Sequence, residues 1–383
     1  MKDNIVSQDE YHPKFENIGW TLGNACPYGC KQCYSEKVRV FGCEIEDWMI
    51  RRIILQLKKI DVKTVNLGGN EPIFTNGLNA GRSKLPDIID QLILNNIVVG
   101  LTTAGISVKE LEKRFPSQLR KLNDVDISID SPIPEKHNKN RGANIFSVAM
   151  KALDICQKLN IEHTLVMCGM NWNLNLFDLK ELLRLAKYTD SNLRINFLKP
   201  TDPKHIKLMP TAKQYYDTFN FLMDNCEPIE IGESLLASTF QKEHIGCSCG
   251  TKSFRIHSIT PDGKIPISPC VYMHDYRVGD LCKDEISDIV ISPEFKSFQE
   301  RRNNPELIKG CNDCGYIKSC RGGCTARAYY TSGMNTLLVP DSYCLKKYEE
   351  EGAIKKVYPF VTKKDDKILV HRNYLCTLIV KPI

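Results

Sequence analysis

The sequence predicts an α/β fold, a partial (β/α)6 barrel of the TIM type, followed by a small cysteine-rich domain and a C-terminal β-hairpin tail. From Asn17 to about Asn225, short β-rich runs alternate with amphipathic helical stretches, as in repeated βα units around a parallel sheet. Six such units are fewer than the eight that close a TIM barrel, so an open barrel is expected. Beyond Asn225 the segments become short and rich in Cys, Gly and Pro. The expected divisions are 1–16, 17–230, 231–350 and 351–383.

The individual elements of the barrel follow from hydrophobic periodicity. The predicted strands are "IGWTL", "TVNLG", "VVGLTT", "DVDISID", "EHTLVM" and "LRINFL". Helices are predicted for "DWMIRRIILQLKKI", "LPDIIDQLILNN", "NIFSVAMKALDICQKL" and "NLFDLKELLRLAKY", because apolar residues recur there at helical spacing. In the second domain a hairpin is predicted with its turn at Asp262 and Gly263. In a barrel of this kind, functional groups collect at the C-terminal ends of the strands.

The tail carries two β-prone runs, "KILVH" and "YLCTLIV", on either side of a polar turn. Such a hairpin could offer a free sheet edge to an extended peptide, with a border of lysines that favours an acidic partner. Alternatively, it covers the open side of the barrel or the second domain. Because the tail follows Cys344, it is not expected to be needed for holding metal.

Composition and charge exclude several classes of protein. Hydrophobic residues make up 42% and charged residues 26% of the 383 residues, and no apolar run approaches the roughly 20 residues of a membrane span. The N-terminus has no secretory h-region, which predicts a cytoplasmic protein. A net charge of +6 falls short of the basic footprint of a nucleic-acid binder.

Seventeen cysteines are more than a reducing compartment needs for packing, and their odd number and uneven distribution favour metal binding over disulfides. Four of them, Cys156, Cys168, Cys226 and Cys376, stand alone in apolar segments, where a buried hydrophobic role is expected.

The stretch "NACPYGCKQCYS", which follows the first predicted strand, contains three cysteines, Cys26, Cys30 and Cys33. A structural zinc ion is normally closed by four ligands, so this triad leaves one coordination position empty. A 4Fe-4S cluster suits it better, because three thiolates bind three irons and leave the fourth open to a small chelating molecule. A zinc knuckle is the alternative.

This C-x3-C-x2-C pattern after the first strand of a partial barrel resembles the radical S-adenosylmethionine (radical SAM) superfamily, from about Asn17 to Asn225. The resemblance implies that the amino and carboxylate groups of SAM bind the open iron, and that reductive cleavage of SAM gives a 5'-deoxyadenosyl radical. It also implies SAM contacts for residues after the second and fourth strands and before a helix. These are Gly68, Gly69, Asn70 and Glu71 of "LGGNEP", Ser128 and Asp130 of "SIDSP", and Arg141 of "NKNRG". A plain glycine turn and an exposed arginine are the competing interpretations.

The second domain contains C-x2-C-x5-C-x3-C, followed by a further cysteine in "PDSYC". Together with the upstream cysteines of "CSCG" and "ISPC", this resembles the SPASM module of radical SAM maturases, which binds two auxiliary 4Fe-4S clusters. The resemblance assigns Cys247, Cys249, Cys270 and Cys324 to the first cluster, and Cys311, Cys314, Cys320 and Cys344 to the second. Only one residue separates Cys247 from Cys249, so an alternative without Cys247 leaves an open iron in the first cluster.

The resemblance implies a maturase that modifies a ribosomally made precursor peptide by a thioether or carbon-carbon crosslink, or by backbone excision. A formylglycine-forming enzyme of the anaerobic sulfatase-maturase type and a non-catalytic iron-sulfur carrier are the alternatives. Flavodoxin or ferredoxin is the implied electron donor, with no nucleic acid or membrane as a partner. About two dozen residues precede Cys26, too few for a leader-binding domain of ~80 residues, so a leader-binding protein is expected to be a separate chain. No residue is predicted as a catalytic acid or base.

Overall fold

The computed structural model describes residues 14–36, 39, 43–240, 247–346 and 376–383. Ten strands are present among these residues: β1 (Asn17–Thr21), β2 (Thr64–Gly68), β3 (Val98–Thr103), β4 (Asp124–Ser128), β5 (Glu162–Gly169), β6 (Asn192–Phe197), β7 (Cys226–Ile231), β8 (Arg255–Ile256), β9 (Ile267–Ser268) and β10 (Leu378–Pro382). All ten belong to one sheet.

The helices of the first half alternate with these strands: α1 (Asp47–Lys59), α2 (Leu85–Leu94), α3 (Ile106–Arg114), α4 (Pro116–Leu119), α5 (Pro134–Arg141), α6 (Phe146–Lys158), α7 (Leu176–Tyr188), α8 (Pro203–Ile206) and α9 (Ala212–Asn225). Those of the second half are shorter: α10 (Ser234–Ala237), α11 (Ile286–Ile289), α12 (Pro293–Asn303), α13 (Ile317–Cys320) and α14 (Thr325–Thr331). None of the helices formed by the described residues is long and apolar enough to cross a membrane.

The sheet confirms the predicted open barrel. Strands β1 to β6 lie side by side in chain order and pair in parallel. Their side chains are mostly buried, as expected of strands covered on both faces. The row does not close on itself: β8 and β9 extend it beyond β1, and β10 and β7 extend it beyond β6.

The helices that cover the sheet form where the sequence places apolar residues at helical spacing. In α1 one face is buried, and its apolar members are Met49, Ile50, Ile53, Ile54 and Leu57. Helix α9, which was not predicted, begins with a capping box in which Thr211 and Gln214 satisfy each other's backbone N–H groups. The segment "DEISDIVISPEFKSFQERR" of the second half is divided into α11 and α12, because Pro293 starts a new helix with Ser292 as its cap.

Two pairings join the second half of the chain to the barrel. The predicted hairpin around Gly263 is present as β8 and β9, and β8 pairs in parallel with β1. At the opposite end, β10 runs antiparallel between β6 and β7. Residues 351–375 of the predicted terminal hairpin lie outside the described residues, so the hairpin stays a prediction. The free edge expected of "YLCTLIV" is wrong for the described strand, because β10 has a partner on each side.

Candidate active site

The loop that carries Cys26, Cys30 and Cys33 leaves the C-terminal end of β1 and packs on the end of α5. The backbone N–H of Gly29 donates to the carbonyl of Arg141 at 3.0 Å, and that of Lys31 donates to the carbonyl of Asn140 at 3.1 Å. Gly142 ends α5 with a φ of 65°. A Cβ there would lie 3.1 Å from the carbonyl oxygen of Gly29, so this close approach favours glycine. The contacts fix the loop against the fourth βα unit.

Two arginines point at the sulfur atoms of the triad. Nη2 of Arg39 lies 3.3 Å from Sγ of Cys33, and Nη1 of Arg141 lies 3.8 Å from Sγ of Cys30. Burial and the negative charge of Glu71 raise the pKa of the Cys26 thiol to about 12. Iron bound at this sulfur would favour the thiolate, and the two guanidinium charges would stabilise the anionic sulfur atoms of the triad.

Asp130 is fully buried and holds one of these arginines in place. Its Oδ2 lies 2.7 Å from Nε of Arg141 and accepts hydrogen bonds from Gln32 at 2.9 Å and Asn140 at 2.8 Å. Its Oδ1 accepts from the backbone N–H of Cys168 at 3.2 Å. Burial by itself raises the pKa of Asp130, but the charges of Arg141 and His137 and the hydrogen bonds from Cys168 and Arg141 together outweigh it, and the net shift is downward. Asp130 therefore acts through Arg141.

The segment after β2 approaches the triad from the neighbouring strand. Gly69 has a φ of 76°, and a Cβ there would overlap the side chain of Thr21, so this position requires glycine. Asn70 donates to the carbonyl of Gly23 at 2.6 Å and accepts from Arg39 at 3.0 Å, which joins this segment to the triad loop. Gly68 ends β2.

Glu71 is only 1% exposed, and three donors hold its two carboxylate oxygens. Oε1 accepts from the N–H of Ala104 at 2.6 Å, and Oε2 accepts from the hydroxyls of Thr103 at 2.7 Å and Ser107 at 2.9 Å. Each ionised oxygen can accept more than one hydrogen bond, so the carboxylate keeps capacity for a ligand ammonium group. Burial nevertheless raises its pKa.

One cavity connects most of the residues expected to hold the cluster and SAM. Its lining includes the three triad cysteines with Gly69, Asn70, Glu71, Ser128 and Arg141. These residues come from the C-terminal ends of β1, β2 and β4 and from α5, so the strand order brings them to one rim. The structure thereby brings together residues that lie up to 115 positions apart in the chain, from Cys26 to Arg141.

The cavity also has lining residues that the sequence reasoning missed. They are Tyr28, Tyr34, Arg39, Thr102, Thr103, Ala104, Val166, Cys168, Asn196, Phe197, Leu198, Lys199 and Tyr272, together with Gln32 and Ser35. Those that end or follow β3, β5 and β6 could have been found from their position at strand ends. No local signal marks Tyr272, which comes from the second half of the chain and meets Tyr34 edge-on at 5.6 Å.

The lysine at this rim, Lys199, is 1% exposed and ion-paired with Glu233, and it donates to the backbone carbonyl of Cys376 at 2.7 Å. Glu233 in turn lies 3.3 Å from Arg327, which forms a buried ion pair with Asp341 at 2.7 Å. This chain of buried charges leads from the barrel cavity to the cysteine-rich half.

The four cysteines assigned to the second auxiliary cluster surround a smaller cavity. Cys311, Cys314, Cys320 and Cys344 all line it, beside Asp341. Short turns place them: the N–H of Cys314 donates to the carbonyl of Cys311 at 3.1 Å, and that of Cys344 donates to the carbonyl of Asp341 at 3.0 Å. Four thiols around one cavity fit the four irons of a cubane.

The cysteines assigned to the first auxiliary cluster also come together, but five thiols meet there. The group is Cys247, Cys249, Cys270, Cys324 and Cys376, which pack in one buried cluster. Cys376 is buried, as predicted, but the prediction that it stands alone is wrong, because it packs in the same cluster as the other four cysteines.

Among the described residues, no group of three or more His, Cys, Asp or Glu side chains is arranged around a single metal ion. A 4Fe-4S cluster does not need such a group, since each thiolate binds a different iron. All seventeen cysteines fall on described residues and are free thiols.

A partial βα barrel whose rim carries a cysteine triad, with further cysteine groups in a second half, defines a SAM-dependent iron-sulfur protein. The comparison with family models agrees: residues 20–186 match the radical SAM superfamily, and residues 247–315 match the SPASM iron-sulfur cluster-binding domain. The chain belongs to the radical SAM superfamily and has a SPASM domain. It is therefore an enzyme whose cofactors are SAM and 4Fe-4S clusters.

Relatives and solved structures extend the similarity over most of the chain. The mycofactocin maturase MftC of Mycobacterium ulcerans is 26% identical over 345 residues, covering 86% of this chain and 88% of the relative. MftC of Mycolicibacterium smegmatis is 25% identical and covers 86% of this chain and 82% of its own.

Among solved structures, Streptococcus suis SuiB bound to its precursor peptide SuiA has a TM-score of 0.65 at 15% identity, covering 87% of this chain and 76% of SuiB. The enzyme anSMEcpe with bound AdoMet has a TM-score of 0.64 at 18% identity, covering 87% and 94%. These two structural similarities support the fold.

Proposed function

We propose that this enzyme is a maturase that modifies a ribosomally made precursor peptide. The observation that carries the proposal is the placement of one cavity between the triad on the barrel and a wall from the SPASM domain, formed by Tyr272. A peptide side chain that enters this cavity would meet the SAM site on one side and the auxiliary cysteines behind Lys199 on the other. The relatives named mycofactocin maturase and the SuiB structure with a precursor peptide support the same class of substrate.

The residues of the rim have separate tasks in this proposal. Cys26, Cys30 and Cys33 hold the cluster, and Arg39 and Arg141 place positive charge beside its sulfur ligands. Bound SAM, on one-electron reduction, supplies a 5'-deoxyadenosyl radical that removes a hydrogen atom from the substrate.

Other residues of the cavity orient SAM. Glu71 accepts from its ammonium group, and the backbone at Gly69 allows it to approach closely. Ser128 contributes a hydroxyl from the end of β4, within reach of the carboxylate or ribose. Asp130 keeps Arg141 aimed at the site through their ion pair of 2.7 Å. Gly69, Glu71 and Ser128 thus contact SAM, whereas Asp130 has a positioning role.

The buried charges beyond the cavity separate the substrate from the auxiliary cysteines. Lys199 lines the cavity and is held by Glu233, so its ammonium group is fixed close to the first auxiliary group. A fixed positive charge there would stabilise a reduced, more negative cluster that accepts an electron from the product radical. We therefore assign the SPASM domain the role of an electron acceptor, with flavodoxin or ferredoxin as the external donor in the cytoplasm.

The test uses the holoenzyme with a short precursor peptide encoded beside its gene, SAM and a reductant under anaerobic conditions. We expect 5'-deoxyadenosine and a peptide of altered mass, whose fragmentation identifies a crosslink or an excised backbone segment. A deuterated peptide should transfer deuterium to 5'-deoxyadenosine. Cleavage of SAM with no change in any neighbouring precursor, even with a separate leader-binding protein added, would contradict the proposal.

The matched control is the enzyme with the three triad cysteines replaced by alanine, which keeps both auxiliary groups. It should give neither 5'-deoxyadenosine nor modified peptide. A sulfatase-derived peptide tests the formylglycine alternative in the same assay. If an aldehyde formed on that peptide while the precursor stayed unchanged, the enzyme would belong with the sulfatase maturases.

A further inference from the structure

The C-terminal strand brings a fifth thiol to the first auxiliary group, where four are expected. Cys376 precedes β10 and is 3% exposed. It packs in the same buried cluster as Cys247, Cys249, Cys270 and Cys324. A single 4Fe-4S cluster has four irons, so one of the five thiols is surplus.

We propose that Cys376 is a ligand of the first auxiliary cluster and takes the position that the sequence pattern assigns to Cys247. The full set is then Cys249, Cys270, Cys324 and Cys376. On binding, the Cys376 thiol gives its proton to water and its sulfur binds the fourth iron.

The geometry favours four ligands from four separate segments. The irons of a cubane occupy tetrahedral corners, and the four proposed cysteines approach from the turn before β8, the end of β9, the start of α14 and the start of β10. Cys247, by contrast, shares a three-residue segment with Cys249, and its sulfur accepts the N–H of Cys249 at 3.4 Å. Two thiolates on so short a segment are hard to direct at two different irons of one cubane.

The backbone at Cys376 is held as a ligand position requires. Its carbonyl accepts from Lys199 at 2.7 Å, and the next residue, Thr377, accepts the backbone N–H of Gly232 at 2.7 Å. Beyond it, β10 is paired on both sides. Lys199 also lines the SAM cavity, so it is the residue that lies between Cys376 and that cavity.

The test compares three single substitutions in protein whose triad is replaced by alanine, so that all iron is auxiliary, about eight per chain. They are Cys376→Ala, Cys247→Ala and the control Cys226→Ala. Cys226 is 2% exposed and pairs with the same C-terminal strand at Pro382. We expect only Cys376→Ala to lose iron, by about one per chain, and to show the EPR signal of an oxidised 3Fe-4S cluster. After reconstitution, added cyanide should shift the reduced EPR spectrum in that variant alone.

A Cys376→Ala variant with the iron content and spectrum of its parent would overturn the proposal, as would equal changes in the Cys247→Ala variant. If the Cys376→Ala variant lost both auxiliary clusters, the comparison would be repeated with Cys376→Ser, because serine is close to cysteine in size and disturbs the packing less. The second auxiliary cluster then serves as the internal reference for folding. A cyanide shift in Cys247→Ser but not in Cys376→Ser would assign the ligand to Cys247.

Discussion

The buried ion pair between Asp130 and Arg141 is expected to stabilise both the fold and the triad loop. Replacing Asp130 with alanine leaves Arg141 without its carboxylate, although only 12% of the arginine side chain is exposed. Removing one partner of a buried ion pair typically costs about 3–5 kcal/mol in the free energy of unfolding. Because Arg141 lies at the cavity wall and keeps some access to water, we expect the lower end, about 3 kcal/mol.

A double-mutant cycle measures this interaction. The variants Asp130→Ala, Arg141→Ala and the double variant are unfolded with guanidinium chloride under anaerobic conditions, and the coupling free energy is taken from the three differences. We expect a coupling of about 2 kcal/mol, since the double variant removes the unpaired charge. Asp154→Ala is the exposed control: its carboxylate pairs with Lys151 and Lys158 on the surface of α6, so little or no change in the free energy of unfolding is expected.

The same variants also report on the site. Without Asp130, Arg141 is no longer aimed at Sγ of Cys30, so the EPR spectrum of the SAM-binding cluster should change while the auxiliary signals persist. A coupling below about 0.5 kcal/mol, which is within the range of exposed ion pairs, would refute the reasoning. It would mean that Gln32 and Asn140 hold Asp130 and that Arg141 is solvated independently.

Four further predictions concern iron, turnover, backbone strain and pH. Replacing the triad with alanine should lower iron by about four per chain and abolish SAM cleavage, measured by iron assay and 5'-deoxyadenosine; loss of all iron would contradict the assignment. Replacing Cys311 and Cys314 should preserve reductive SAM cleavage but give no modified peptide by mass spectrometry; product at the parent rate would make this cluster dispensable. Gly69→Ala should weaken SAM affinity at least tenfold, measured by calorimetry, because the added Cβ overlaps Thr21 of β1. Gly77 has a similar φ of 75° but open space around its Cα, so Gly77→Ala should bind SAM with the parent affinity. Burial and the charge of Arg141 lower the pKa of His137 to about 4. Below pH 6.5 the unfolded chain therefore takes up a proton at His137 before the folded chain does, and the free energy of unfolding should fall by about 2 kcal/mol between pH 6.5 and pH 5. His137→Phe should flatten this part of the curve of unfolding free energy against pH, and an unchanged slope would contradict the prediction.

Local signals in the sequence account for the barrel and for the triad. The six barrel strands are observed within one or two residues of their predicted ends, because each consists of a buried β-prone run bounded by turn residues. The triad and "GGNE" were recognisable because their spacing is short and they follow strands. The parallel order of β1 to β4 then places Glu71 and Ser128 beside the triad, which is a consequence of consecutive βα units.

Residues that depend on long-range pairing could not be predicted in this way. Tyr272 reaches the cavity because β8 pairs with β1, and Lys199 meets Cys376 because β10 enters the sheet beside β6. No short sequence motif indicates either strand pairing. Lys199 and Cys376, for example, lie more than 170 positions apart in the chain. Arg39 was overlooked because a single arginine after the triad has no pattern.

The position of β10 changes the role expected of the tail. Sequence alone places the tail after the last metal ligand and treats it as an addition that the clusters do not need. In the structure, β10 covers the edge of β6, and Cys376 at its start joins the first auxiliary group. A strand with partners on both sides cannot accept a peptide as a further strand without first leaving the sheet. The described part of the tail therefore supports the covering role, and it connects the β6 edge of the barrel to the cysteine group beside the reaction cavity.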